Sequence, residues 1–137
     1  MRQIFLFAAL ATSLALLSGC TLSKTKADTA EDMTDKAAYH KLSAEEAYEM
    51  MASQEVVVVD VRTREEYDGG HIENAVLVPN ESIGSETPEA LPDKEARLLV
   101  YCRSGNRSKT ASSALADLGY TNIYEFGGIN TWPYATE

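Results

Sequence analysis

The chain has 137 residues, 45% hydrophobic and 24% charged, an ordinary globular balance with room for one domain and too little length for two. Its 12 Lys and Arg against 21 Asp and Glu give a formal net charge of −9, which argues against nucleic acid as a partner. Two His and two Cys, widely spaced, make no zinc pattern, and no metal is expected.

Met1-Arg2-Gln3 is a short basic start, and an apolar run from Ile4 to Leu17 follows it. This is the grammar of an export signal. The run falls short of the roughly 20 residues that a spanning helix needs, which disfavours a permanent transmembrane anchor. Leu17-Ser18-Gly19-Cys20 then resembles the lipobox of bacterial lipoproteins: an apolar residue, two small ones and a cysteine. The resemblance implies that residues 1–19 are a leader cleaved before Cys20. It also implies that Cys20 carries acyl chains such as palmitate, which tether the chain to a membrane without spanning it. An aspartate after the cysteine would signal inner-membrane retention. Thr21 in its place implies a periplasm-facing anchor in the outer membrane of the cell envelope.

From residue 20 to residue 38 the chain is rich in Thr, Lys, Ala, Asp and Glu, and nearly lacks large apolar side chains. It cannot cover a core face and reads as a tether. A folded domain is expected over 39–137. Ser43-Ala44-Glu45-Glu46 has capping-box spacing and opens a helix that ends near Ser53, with Leu42, Ala47, Met50 and Met51 inward. Val56-Val57-Val58-Val59 is a β-branched run too short for a helix. It is expected to be a parallel strand covered on both faces, and the central one. Thr63-Arg64-Glu65-Glu66 repeats the capping-box spacing for a short helix that Gly69-Gly70 terminates, and Glu65 and Glu66 read as its first-turn acids.

Ala75-Val76-Leu77-Val78 supplies a second strand stopped by Pro79, and Asn80 to Glu95 a loop with one helical turn. Arg97-Leu98-Leu99-Val100-Tyr101 is a third strand, the stretch from Arg107 to Leu118 a helix closed by Gly119, and Asn122-Ile123-Tyr124-Glu125-Phe126 a fourth strand. Strands alternating with helices imply an α/β fold with a parallel sheet flanked on both faces.

Lipidation of Cys20 would leave Cys102 as the one remaining thiol, with no intramolecular disulfide to make. The bland alternative is a buried small hydrophobe. Local sequence favours chemistry. Cys102 falls at the carboxyl end of a strand and just before a helix, where ligands bind in open parallel sheets. Helix-start N–H groups and a positive dipole end there favour thiolate over thiol and also hold an anion. Gly105 lets the backbone curl into an anion-binding nest, and Ser104, Asn106 and Ser108 suit the turn and its capping. No acid lies between Glu95 and Asp117, whereas Arg97, Arg103, Arg107 and Lys109 do. Cations at a helix start oppose its dipole, a local cost that an anion in the loop would explain.

Tyr101-Cys102-Arg103-Ser104-Gly105-Asn106-Arg107-Ser108 resembles the active-site loop of single-domain rhodaneses. Asp60-Val61-Arg62, Glu66-Tyr67, Gly70-His71-Ile72, Asn74-Ala75, Pro79-Asn80 and Gly127-Gly128 with Trp132 are similar to rhodanese signatures in the expected order. The resemblance implies a five-stranded, mostly parallel sheet, with its fifth strand near Tyr39. It also implies sulfur transfer. Cys102 attacks the outer sulfur of a donor such as thiosulfate, sulfite leaves, and the Cys102 persulfide passes its sulfur to cyanide, a thiol or a protein acceptor. No cofactor beyond this covalent intermediate is expected. The loop N–H groups from Arg103 to Arg107 would hold the persulfide anion, and Arg103 and Arg107 the anionic donor. Ser104 stands where family members that favour thiosulfate often carry lysine, which leaves the donor open.

Asp60 and Arg62 sit on the same rim and could border the site, although a structural ion pair is the preferred reading. His71 is expected to make structural hydrogen bonds, His40 to lie on the surface and Trp132 to pack at the sheet edge. A phosphatase is the rival enzyme, since related domains hold phosphate with Cys-x5-Arg loops. Here five residues after the cysteine end at Arg107, leaving Ser108 where that arginine should stand. A persulfide carrier or a non-catalytic rhodanese-like binding module remains the alternative from another class.

Overall fold

The computed structural model describes residues 38–137; the expected leader, Cys20 and the expected tether up to Ala37 lie outside the described residues. Five strands and three α-helices follow in order: β1 (His40–Lys41), α1 (Ala44–Ser53), β2 (Val57–Asp60), α2 (Arg64–Asp68), β3 (Val76–Leu77), β4 (Leu98–Cys102), α3 (Asn106–Asp117) and β5 (Ile123–Gly128). All strands are parallel, in the spatial order β1-β5-β4-β2-β3. The α/β class, the flanked parallel sheet and the fifth strand beside Tyr39 are as the sequence implied.

Both capping boxes form. The Ser43 hydroxyl accepts from the Glu46 N–H at 3.2 Å while the Glu46 carboxylate accepts from the Ser43 N–H at 2.7 Å. Thr63 and Glu66 do the same at 3.3 and 3.1 Å. Each box satisfies two amide donors that a helix start leaves over, so these four-residue signals fix the entry of α1 and α2.

The central strand is β4, not the valine run, which as β2 lies between β3 and β4. A continuous β-branched run reports cover on both faces, and any interior strand has that; it does not report position. All five β4 residues are buried. Because side chains alternate across a strand, β4 divides the core in two. Leu98, Val100 and Cys102 face one side with Val59, Ile123 and, from α3, Ala111 and Leu115. Leu99 and Tyr101 face the other with Val58, Phe126 and Ala47 of α1. The thiol and the tyrosine hydroxyl before it therefore belong to opposite faces of the sheet.

Candidate active site

Cys102 is the last residue of β4 rather than the first of the loop. Its pairing with β5 is irregular: Val100 lies opposite Glu125, but Cys102 lies opposite Gly128, so three steps on β5 match two on β4. A bulge of this kind re-aims the strand end. The turn that follows is set by Gly105, which has φ 101° and caps α3 with no side-chain hydrogen bond. Capping by Ser104 or Asn106, as the sequence suggested, does not occur. Glycine takes this positive-φ conformation without the steric cost that a side chain adds, and the Gly105 N–H points at the Cys102 sulfur, 3.0 Å away.

Gly128 closes the site from below. A Cβ there would overlap the Arg103 carbonyl, so the loop rests directly on bare β5 backbone. The Asn130 N–H holds the same carbonyl at 3.2 Å.

Burial pushes the Cys102 thiol up. The Ser108 hydroxyl and the N–H groups of Ser108, Gly105 and Ser104 outweigh burial and hold it below the ordinary cysteine value. Helix-start amides thus act on the sulfur as the sequence suggested. The residue is 1% exposed, while Arg103, Ser104 and Asn106 above it are exposed.

The two loop arginines part company. Arg103, next to Cys102 in the chain, has an exposed side chain. Arg107 instead gives both terminal nitrogens to the Glu66 carboxylate of α2, at 2.6 and 2.8 Å. Its charge is largely answered by this pair, so the acid-free stretch in the sequence does not translate into an equally acid-free site. Hydrogen bonding to Arg107 comes first among the causes that lower the Glu66 carboxyl to about 2.

Asp60 and Arg62 pair with each other. The Arg62 Nη2 donates to Asp60 Oδ2 at 2.6 Å and to the Gly70 carbonyl at 2.8 Å, and the Tyr101 hydroxyl donates to Asp60 Oδ2 at 2.6 Å. The Ile72 N–H completes the network by donating to the Tyr101 oxygen at 3.0 Å. Asp60 is in register with Tyr101 and shares its face, so its carboxylate lies across the sheet from Cys102. This is the structural ion pair, and it braces the loop carrying His71. His71 stacks on Tyr67, with Nδ1 3.0 Å from the Tyr67 carbonyl, and His40 is exposed. Trp132 packs on Phe126, Tyr48 and Tyr134.

The sequence reading did not single out Tyr101, the Glu66–Arg107 pair or Glu125. Glu125 is fully buried on β5 and accepts from the Ser108 hydroxyl at 2.6 Å. An acid in an otherwise apolar strand, two residues before Gly127-Gly128, was the available signal.

The model of the rhodanese-like domain matches residues 43–134. The chain belongs to the rhodanese-like family. Membership supports a sulfurtransferase-type enzyme. A tRNA uridine(34) hydroxylase of Hamiltonella defensa is 36% identical over 110 residues, covering 75% of this chain but only 31% of the relative. The chain therefore spans about a third of that relative's length. Among solved structures, a rhodanese-related protein of Thermoplasma volcanium has a TM-score of 0.62 at 27% identity, covering 72% of this chain and 98% of the other. A human single-domain sulfurtransferase has a TM-score of 0.60 at 26% identity, covering 70% of this chain and 95% of the other.

Proposed function

We propose that the protein moves a sulfane sulfur from thiosulfate or a similar anionic donor, through a persulfide on Cys102, to cyanide, a thiol or a protein acceptor. The observation that carries this reading is the Gly105 N–H directed at a thiol already held below its ordinary value. A thiolate in that cradle attacks the outer sulfur of thiosulfate, the S–S bond breaks and sulfite leaves with its electron pair. The persulfide anion that remains needs hydrogen-bond donors rather than a metal, and the amides of Ser104, Gly105 and Ser108 supply them. The exposed guanidinium of Arg103 attracts the donor. Arg107, tied to Glu66, fixes the first turn of α3.

Loop length separates this reading from phosphate hydrolysis, because four residues rather than five stand between Cys102 and Arg107. Purified protein is expected to transfer sulfur from thiosulfate to cyanide and to leave aryl phosphates uncleaved. The reverse profile would overturn the assignment. A carrier role, in which the persulfide is handed to a partner enzyme, is the second reading. It predicts faster turnover with a thiol or protein acceptor than with cyanide.

We further propose that the domain works at the cell envelope, anchored through acyl chains on Cys20 to the outer membrane and facing the periplasm. The motif Leu17-Ser18-Gly19-Cys20 after an apolar run supports this. Cys20→Ser is expected to move the protein from the membrane fraction to the soluble or uncleaved pool. An unchanged membrane fraction and mass would refute it.

A further inference from the structure

Resting on the reading of Cys102 as the reactive thiol, we propose that Glu125 is a positioning residue that holds the Cys102 proton. It does so through the Ser108 hydroxyl, one proton being shared along the three side chains. The geometry is a directed chain. The Cys102 thiol donates to Ser108 Oγ at 3.6 Å, and Ser108 Oγ donates to Glu125 Oε1 at 2.6 Å. Ser108 has a single hydrogen. The Gly105 and Gly127 carbonyls lie farther from it, at 3.0 and 3.3 Å, and Glu125 is the nearest acceptor.

Glu125 is 0% exposed, and among the described residues no guanidinium or ammonium group pairs with it. Oε1 also accepts from the Gly127 N–H at 2.9 Å, while Oε2 has no hydrogen-bond partner. A buried carboxylate so sparsely met is costly, and capping one glycine amide does not require a charge. Its flanks are Val100 on β4 and Lys41 on β1 in register, Lys41 being exposed, with Ser108 and Ser112 from α3 on the same face. Of the loop's charged groups, Arg107 is bound to Glu66 and influenced by Glu81 and Cys102, and Arg103 is exposed. Glu66, at about 2, does not titrate in the neutral range.

The transfer balances within the chain. The Cys102 S–H bond breaks and its electron pair stays on sulfur. Its proton goes to Ser108 Oγ, and the Ser108 hydrogen passes to Glu125 Oε1. The product is a thiolate that accepts from Ser108 and a neutral carboxyl that donates to Ser108. No proton enters or leaves, so the share of thiolate in this form does not vary with pH until the group as a whole gains or loses a proton.

The test is the rate of Cys102 alkylation by iodoacetamide, followed by intact mass from about pH 5 to about pH 9, a window below and around the free thiol value. Wild type is expected to show a pH-independent plateau before the final rise. Glu125→Gln and Ser108→Ala, confirmed as folded, are expected to lose it and to slow about tenfold per pH unit below their midpoints, as a lone thiol does. Should Glu125→Gln not fold, Ser108→Ala, which deletes one hydroxyl, decides by itself. A wild-type rate that falls tenfold per unit throughout, or a plateau kept in either folded variant, overturns the proposal. A merely structural Glu125 would not move the shape of this profile. Alkylation uses no sulfur donor, so its outcome is independent of whether thiosulfate loads Cys102.

Discussion

Glu66 and Arg107, 41 positions apart, meet in a two-pronged ion pair that ties the first turn of α3 to α2. The same carboxylate caps the Thr63 N–H at 3.1 Å, so one side chain organises the start of α2 and braces the loop that cradles Cys102. Planar guanidinium and carboxylate groups fit each other in this way, and lysine could not replace Arg107.

Glu66→Gln keeps the capping geometry and removes the charge. It is expected to lower stability at neutral pH by about 1 kcal/mol, the upper end for a partly exposed pair. The Arg107 guanidinium lowers this carboxyl to about 2 in the folded chain, from an ordinary value of 4.5. Its contribution is thus complete above about 4.5 and fades as pH falls toward about 2. Urea unfolding of both proteins from neutral to acid pH should show the gap closing over that window. A gap constant with pH would rule out the ion pair as its source.

Gly128→Ala places a methyl group where the Arg103 carbonyl lies, and backbone on both sides leaves neither partner free to yield. The expected result is a loss of about 1–3 kcal/mol, typical of overpacking, together with loss of sulfur transfer as the loop lifts from β5. Thermal unfolding and turnover measured on the same sample check both. Wild-type turnover in a folded variant would show that the loop tolerates the shift.

Tyr101→Phe leaves the Ile72 N–H without its acceptor and takes one donor from Asp60. A cost of about 1–3 kcal/mol is expected for the buried groups left unpaired. Alkylation of Cys102 should change little, because the hydroxyl faces the α1 side of the sheet and the thiol the α3 side. Equal losses in stability and thiol reactivity would mean that the two faces are coupled.

Local signals carried the fold well. Ser43 with Glu46, Thr63 with Glu66, and Gly119 after α3 each act within a few residues, so their spacing is written in the chain. Position within the sheet is not local, which is why the valine run, taken for the central strand, is β2 beside it. The same limit applied at the site. The ordered motifs around Cys102 and Gly127-Gly128 led to the loop, but spacing cannot show that Arg107 reaches α2 or that Ser108 turns inward to Glu125. Charge counting along the chain saw an acid-free stretch, whereas folding brings Glu66 and Glu125 to it from opposite directions in sequence.

The central claim is that Cys102 carries a persulfide, and intact mass after incubation with thiosulfate tests it most directly. Wild type is expected to gain one sulfur atom and to lose it on adding cyanide or a thiol, while Cys102→Ser gains none. A wild type left unchanged by thiosulfate and by other sulfane-sulfur donors, or an equal gain in Cys102→Ser, would contradict the account.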